Sequence, residues 1–108
     1  MCPAEALEAA PLFAAMGDPT RLDLLMRLST QGPLSITALS SGGRVSRQAI
    51  TKHLEVLSGA GLVWSRRRGR ECLWEFEPRR LEEARMHLER LSRQWDEALG
   101  RLRRFVED

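Results

Sequence analysis

The stretch Ser46-Arg47-Gln48-Ala49-Ile50-Thr51-Lys52-His53 concentrates side chains that can read a nucleic acid. Arg and Gln can each make paired hydrogen bonds to base edges, Thr brings a hydroxyl and a methyl, and Lys a mobile charge. At helical spacing, Ala49, Ile50, His53, Leu54 and Leu57 fall on one side. Arg47, Gln48, Thr51, Lys52 and Glu55 fall mostly on the other. Gly42 and Gly43 permit a tight turn just before, and Ser46 is placed to cap the helix that follows. A short helix with such an exposed face suits the major groove of DNA. The same polar residues also occur on ordinary surface helices, so the neighbouring segments decide.

The second cluster is Arg66, Arg67, Arg68 and Arg70. Leu62-Val63-Trp64-Ser65-Arg66 predicts a strand, residues 67–70 a turn, and Glu71-Cys72-Leu73-Trp74-Glu75-Phe76 a returning strand. A basic tip on a two-stranded ribbon just after a helix-turn-helix reads as a wing aimed at the phosphate backbone or minor groove. Cys72, Trp74 and Phe76 alternate onto one side of the return strand, expected to meet the helical core. Residues 44–70 carry seven basic groups against one acidic, while residues 1–43 and 71–108 each sum to −2. One basic middle between mildly acidic ends points to a single face for a polyanion.

The elements that must position these groups are legible on either side. Residues 4–16 predict a helix with Leu7, Leu12, Phe13 and Met16 as anchors and a kink or restart at Pro11. Asp18 can cap a second helix over 19–30, with Pro19 in its first turn. Its inward side is expected to be Leu22, Leu25, Met26 and Leu28, with Arg21, Asp23 and Arg27 in water. Leu34-Ser35-Ile36 is a short extended bridge that fits a minimal third strand, followed by a short helix over 36–41. Residues 36–58 thus form a helix-turn-helix and residues 62–77 a wing hairpin.

From Pro78 a helix is predicted to about Phe105, giving a segment 79–106 long enough to outreach a compact body. Leu81, Leu88, Trp95 and Leu102 recur every seven residues, and so do Ala84, Leu91, Ala98 and Phe105. This seam needs a second surface, and the same helix of a second subunit, joined by the first helix, is the simplest source. Leu7, Leu12, Leu81, Ala84, Leu88, Leu91, Trp95, Leu99 and Leu102 are therefore the expected dimer contacts. The fold class is mainly α with a small β-hairpin, a single winged helix-turn-helix over 1–108 with N- and C-terminal dimerisation helices.

At 108 residues the chain can build one domain with a modest core. It has no run of about 18 apolar residues, no secretory start, and cysteines only at positions 2 and 72, so a cytoplasmic location and free thiols are expected. Two histidines with no nucleophile–base motif, phosphate loop or metal signature argue against an enzyme.

Several stretches together resemble the ArsR/SmtB-type winged-helix regulators. Ala15-Met16-Gly17-Asp18-Pro19-Thr20-Arg21 is similar to the family's "ALADPTR" opening, and Pro33-Leu34-Ser35-Ile36-Thr37-Ala38-Leu39 to its entry into the helix-turn-helix. Ser46-Arg47-Gln48-Ala49-Ile50-Thr51-Lys52-His53-Leu54 resembles its "S-x-x-A-V-S-K-H-L" helix. Leu57-Ser58-Gly59-Ala60-Gly61-Leu62-Val63 and Arg68-Gly69-Arg70 resemble its approach to the wing and its turn, and Phe76, Glu77 and Pro78 its exit. Trp95, Asp96, Leu99, Leu102 and Phe105 resemble the "W-x-x-x-L-x-x-L" ending of one subgroup. The resemblance implies a homodimeric transcription factor, in most members a repressor, that binds double-stranded DNA at a two-fold symmetric operator. It implies Ser46, Gln48, Thr51, Lys52 and His53 in the DNA-reading helix and Arg68 and Arg70 in the wing. The chemistry of Arg47, Arg66 and Arg67 adds these three.

The family's thiolate metal site is not matched, because Ile36-Thr37-Ala38-Leu39-Ser40-Ser41 holds no thiol, imidazole or carboxylate. Its last-helix site needs two histidines where this chain has His87, Glu83 and Asp96, so His87 reads as a seam-edge residue. No metal and no cofactor are expected. Two alternatives stand beside the repressor: a dimeric protein-interaction module that has lost specific DNA binding, and a thiol-based redox sensor. For the latter, Cys72 reads as a small buried hydrophobe and Cys2 as an exposed thiol without a neighbour that activates it. The effector is left open: a small molecule, another protein, or none.

Overall fold

The computed structural model describes residues 3–42 and 44–107, with only the backbone for residues 3–8. Helices α1 (Pro3–Met16) and α2 (Pro19–Gln31) lead into strand β1 (Leu34–Ser35) and helices α3 (Ile36–Ser40) and α4 (Arg47–Gly59). Strands β2 (Val63–Arg68) and β3 (Glu71–Phe76) follow, and α5 (Pro78–Glu107) closes the chain. This mainly helical body with a small antiparallel sheet matches the expected class.

Local chemistry sets the helix starts. The Asp18 carboxylate accepts from the Arg21 backbone N–H at 3.0 Å, Ser35 Oγ from Ala38 N–H at 3.2 Å, and Ser46 Oγ from Ala49 N–H at 3.1 Å. Each satisfies a donor that the first helical turn leaves unpaired. The bond from Arg21 N–H is the main cause holding the Asp18 carboxyl below its ordinary range, aided by the charges of Arg21 and His53. A carboxyl with a depressed folded-state pKa adds stability that is present above its unfolded value and lost as pH falls through the folded one. Asp18→Asn, which can still cap but cannot titrate there, should therefore flatten the acid limb of the stability curve. Thermal unfolding followed from pH 6 down to about pH 2 checks this, and an unchanged acid limb would contradict it.

The core is one cluster. It holds Leu12 and Ala15 of α1, Leu24, Leu25 and Leu28 of α2, Leu39 of α3, and Ile50, Leu54 and Leu57 of α4. Leu62, Val63, Trp74 and Ala84 complete it. Pro11 does not restart α1, which runs unbroken through it. Buried Ala9, Leu12 and Ala15 hold the helix on the core around the hydrogen bond that proline forgoes.

The inward face of α2 also differs from expectation. Leu22 and Met26 are exposed, Leu24 is buried with Leu25 and Leu28, and Arg21 and Arg27 are half-buried. The arginines turn inward because they serve the ends of other helices. Arg21 Nε donates to Ala15 O at 2.7 Å, and Arg27 donates to Leu39 O and Ala38 O at 3.0 and 3.2 Å. They satisfy carbonyls that α1 and α3 cannot.

In the sheet the order is β1-β3-β2, all antiparallel, with Leu34 opposite Trp74 and Ser35 opposite Leu73. The third strand is thus present. The hairpin turn is shorter than expected, since β2 runs on to Arg68 and leaves Gly69 and Arg70 as the loop. Gly69 has φ +63 while Arg70 stays at negative φ, the pattern of a two-residue type II′ turn, whose first position favours glycine. Cys72 is exposed rather than buried, although Trp74 meets the core as expected. Strand β1 reaches no further than Leu73, so Cys72, opposite Arg67, lies where the ribbon stands beyond the body.

Helix α5 spans about 45 Å at the usual rise. Leu81 and Ala84 pack on the core, and Arg80 Nε ties the helix to α4 by donating to Ala60 O at 3.0 Å. Beyond Ala84 no residue of α5 is buried. The described protomer measures 67 × 27 × 20 Å with a radius of gyration of 18.1 Å, against about 13 Å for a compact chain of this length.

Candidate nucleic-acid interface

The candidate reading face is built by the α3–α4 pair. Glycine at position 42 adopts φ +114 in the connection, a conformation other residues reach only with strain. Ile50, Leu54 and Leu57 pin α4 to the core. The opposite side of α4 then carries Arg47, Gln48, Lys52 and Glu55 exposed and Thr51 half-buried. These five and Ile36, the first residue of α3, line an open notch of about 530 Å³. Nothing in the residue type of Ile36 marks it as a wall of this notch. Its place depends on the angle at which α3 meets α4. Ser46 is exposed, but its side chain is engaged as the α4 cap.

The hairpin supplies the second surface. Arg66, Arg67, Arg68 and Arg70 are all exposed. Arg66 reaches across the ladder to Glu75 at 3.4 Å, whereas Arg67, Arg68 and Arg70 make no ion pair among the described residues. Three guanidinium groups without an ion pair, at and beside a two-residue turn, form a cation cluster suited to phosphates.

Comparison with known proteins places this arrangement. A family model described as "Helix-turn-helix domain" matches residues 16–66, from the end of α1 into the wing. The HTH-type transcriptional regulator Rv2034 of Mycobacterium tuberculosis is 36% identical over 87 residues, 81% of this chain and 78% of that protein. The solved ArsR-like transcriptional regulator from Rhodococcus sp. RHA1 superposes with a TM-score of 0.86 at 36% identity. That match covers 99% of this chain and 97% of that one. A transcriptional repressor SmtB homolog of Synechocystis is 36% identical over 72 residues, 67% of this chain and 54% of that protein. The chain belongs to the ArsR/SmtB family of winged helix-turn-helix transcriptional regulators. It is a DNA-binding regulator and not an enzyme.

Within this ArsR/SmtB-family chain, His53 stands apart from the other recognition-helix candidates. It is half-buried and faces the α1–α2 corner, with Nδ1 3.5 Å from Arg21 Nη1 and 4.0 Å from the Asp18 carboxylate. His53 thus links α4 to the start of α2, and it does not line the notch.

The dimer candidates divide in two. Leu12 and Ala84 are buried inside the protomer, and Leu81 packs against its core. Leu88, Leu91, Trp95, Leu99 and Leu102 are exposed, as are Phe105 and Val106. Leu7 lies in α1, but its side chain falls outside the described residues, as does all of Cys2 and Gly43.

No three His, Cys, Asp or Glu side chains come together as a metal site among the described residues. Glu83 pairs with Arg80, and His87 is half-buried with an enclosed Nδ1 that has no hydrogen-bond partner. No helix among the described residues is long and apolar enough to cross a membrane.

Proposed function

We propose that the protein is a homodimeric repressor that covers a promoter by placing two recognition helices in successive major grooves and two arginine wings on the flanking backbone. The observation that carries this reading is the outward face of α4, with Arg47, Gln48 and Lys52 exposed around half-buried Thr51, held beside a hairpin with three arginines that make no ion pair among the described residues. The apolar stripe from Leu88 to Leu102 supports the dimer, because apolar surface of this extent on a free helix calls for a partner. A two-fold dimer in turn matches a two-fold operator. The relative from Synechocystis described as a transcriptional repressor supports the sign of regulation. In this reading Gln48, Thr51 and Arg47 read bases, and Lys52, Arg67, Arg68 and Arg70 hold phosphates. Ser46 positions α4 at the groove, and Arg66 contributes from its pair with Glu75.

Gln48→Ala tests base reading. A bidentate amide–base contact is worth roughly tenfold to a hundredfold in discrimination. The variant should lose that much preference for the operator while its affinity for unrelated DNA barely changes. Lys52→Ala should weaken both to a similar degree. Equal losses on both DNAs for Gln48→Ala would contradict the assignment.

A further inference from the structure

We propose that the α3–α4 notch reads a thymine through its 5-methyl group, with Ile36 and Thr51 as the apolar contact and Gln48 beside them for adenine. Each half-site would then carry an A·T pair at the position under this junction. The inference deepens the base reading assigned to α4 and rests on it.

Two observations point to a methyl rather than a polar base edge. First, Thr51 Oγ1 donates to Arg47 O at 2.9 Å. Its single donor is spent inside the helix, so Thr51 offers a ligand its methyl and the hydroxyl lone pairs. Second, Ile36 packs one side against the core and lines the notch with the rest of its surface. An isoleucine at the head of α3 puts an aliphatic wall where the proposed reading face is otherwise polar.

The four base pairs present different groups to such a wall. Thymine offers a 5-methyl beside its O4 acceptor, while cytosine in the same place offers an amino donor and no methyl. Facing Ile36 and the Thr51 methyl, cytosine has no methyl to bury, and its amino group would have to turn to the Thr51 lone pairs, Gln48 or Glu55 for a partner. The thymine methyl gains burial instead. Gln48 is the residue in the notch whose amide can donate and accept at once, which is the pattern adenine presents at N7 and N6.

The test uses the native full-length protein and an operator recovered by selection. Thymines of one half-site are replaced singly by deoxyuridine, which removes only the methyl. We expect one position at which this lowers affinity by roughly threefold to tenfold, the scale of one buried methyl. Others should be silent. The ratio of thymine to uracil affinity at that position should shrink toward one in Thr51→Ser, which keeps the hydroxyl, and in Ile36→Ala. Because it is a ratio measured on a single preparation, partial unfolding of a variant cancels. A specific operator at which every such replacement is silent would overturn the inference and leave base reading intact. So would a thymine preference that persists undiminished in both variants. Failure to recover any specific operator would overturn the base reading itself, and this inference with it.

Discussion

The double variant Trp95→Asp, Leu99→Asp is expected to be a folded monomer that binds a two-fold operator at least about a hundredfold more weakly than the native protein. Trp95 and Leu99 are 64% and 59% exposed in the protomer and touch none of its core. Charging them therefore leaves the protomer's own packing intact. In a dimer they would be enclosed against a second apolar stripe, where an unpaired carboxylate is costly. Losing the second recognition helix removes the effective-concentration gain that linkage provides, commonly a factor of 10² to 10⁴. Sedimentation reads the mass, circular dichroism the fold, and operator titration the affinity. A variant that remains dimeric would contradict the assignment of this face.

The second large effect belongs to the wing. Arg68→Ala together with Arg70→Ala should weaken binding to every DNA sequence alike and flatten its salt dependence. Each phosphate neutralised contributes about 0.9 to the slope of log affinity against log salt. Two arginines in each of two protomers should then account for about 3–4 units of slope. Over a fourfold rise in salt the native protein would lose about a hundredfold more affinity than the variant. Both side chains are exposed and make no ion pair among the described residues, so their removal costs the fold little. The matching change at Arg66 should be milder, since Glu75 already occupies it. An unchanged salt slope in the double variant would remove the wing from the interface.

Where sequence sufficed, the signals were local. Asp18-Pro19 and Ser46 mark helix starts because the capping group lies within three residues of the donor it satisfies. The stripe of Ile50, Leu54 and Leu57 follows from helical period alone, and it leaves the polar face of α4 outward without further information. What escaped depends on contacts distant along the chain. The arginines of α2 look solvated until the carbonyl ends of α1 and α3 are in place to receive them. Alternation puts Cys72 on the core side, but burial there ends with β1, a strand nearly forty positions away along the chain. His53 sits on the predicted helix, yet Arg21 and Asp18 draw it off the reading face. For α5 the heptad pattern is read correctly as a continuous helix. The division between its core-packed start at Leu81 and Ala84 and its open remainder appears only once the body beneath it is built.

The central claim is that two copies of this chain together recognise one DNA sequence. The most direct measurement is selection of genomic fragments by the purified native protein, reduced and shown to be folded, with the bound fragments sequenced. We expect one two-fold symmetric motif whose half-sites are centred about one helical turn, or a whole number of turns, apart. Recovery of DNA with no enriched motif would contradict the claim.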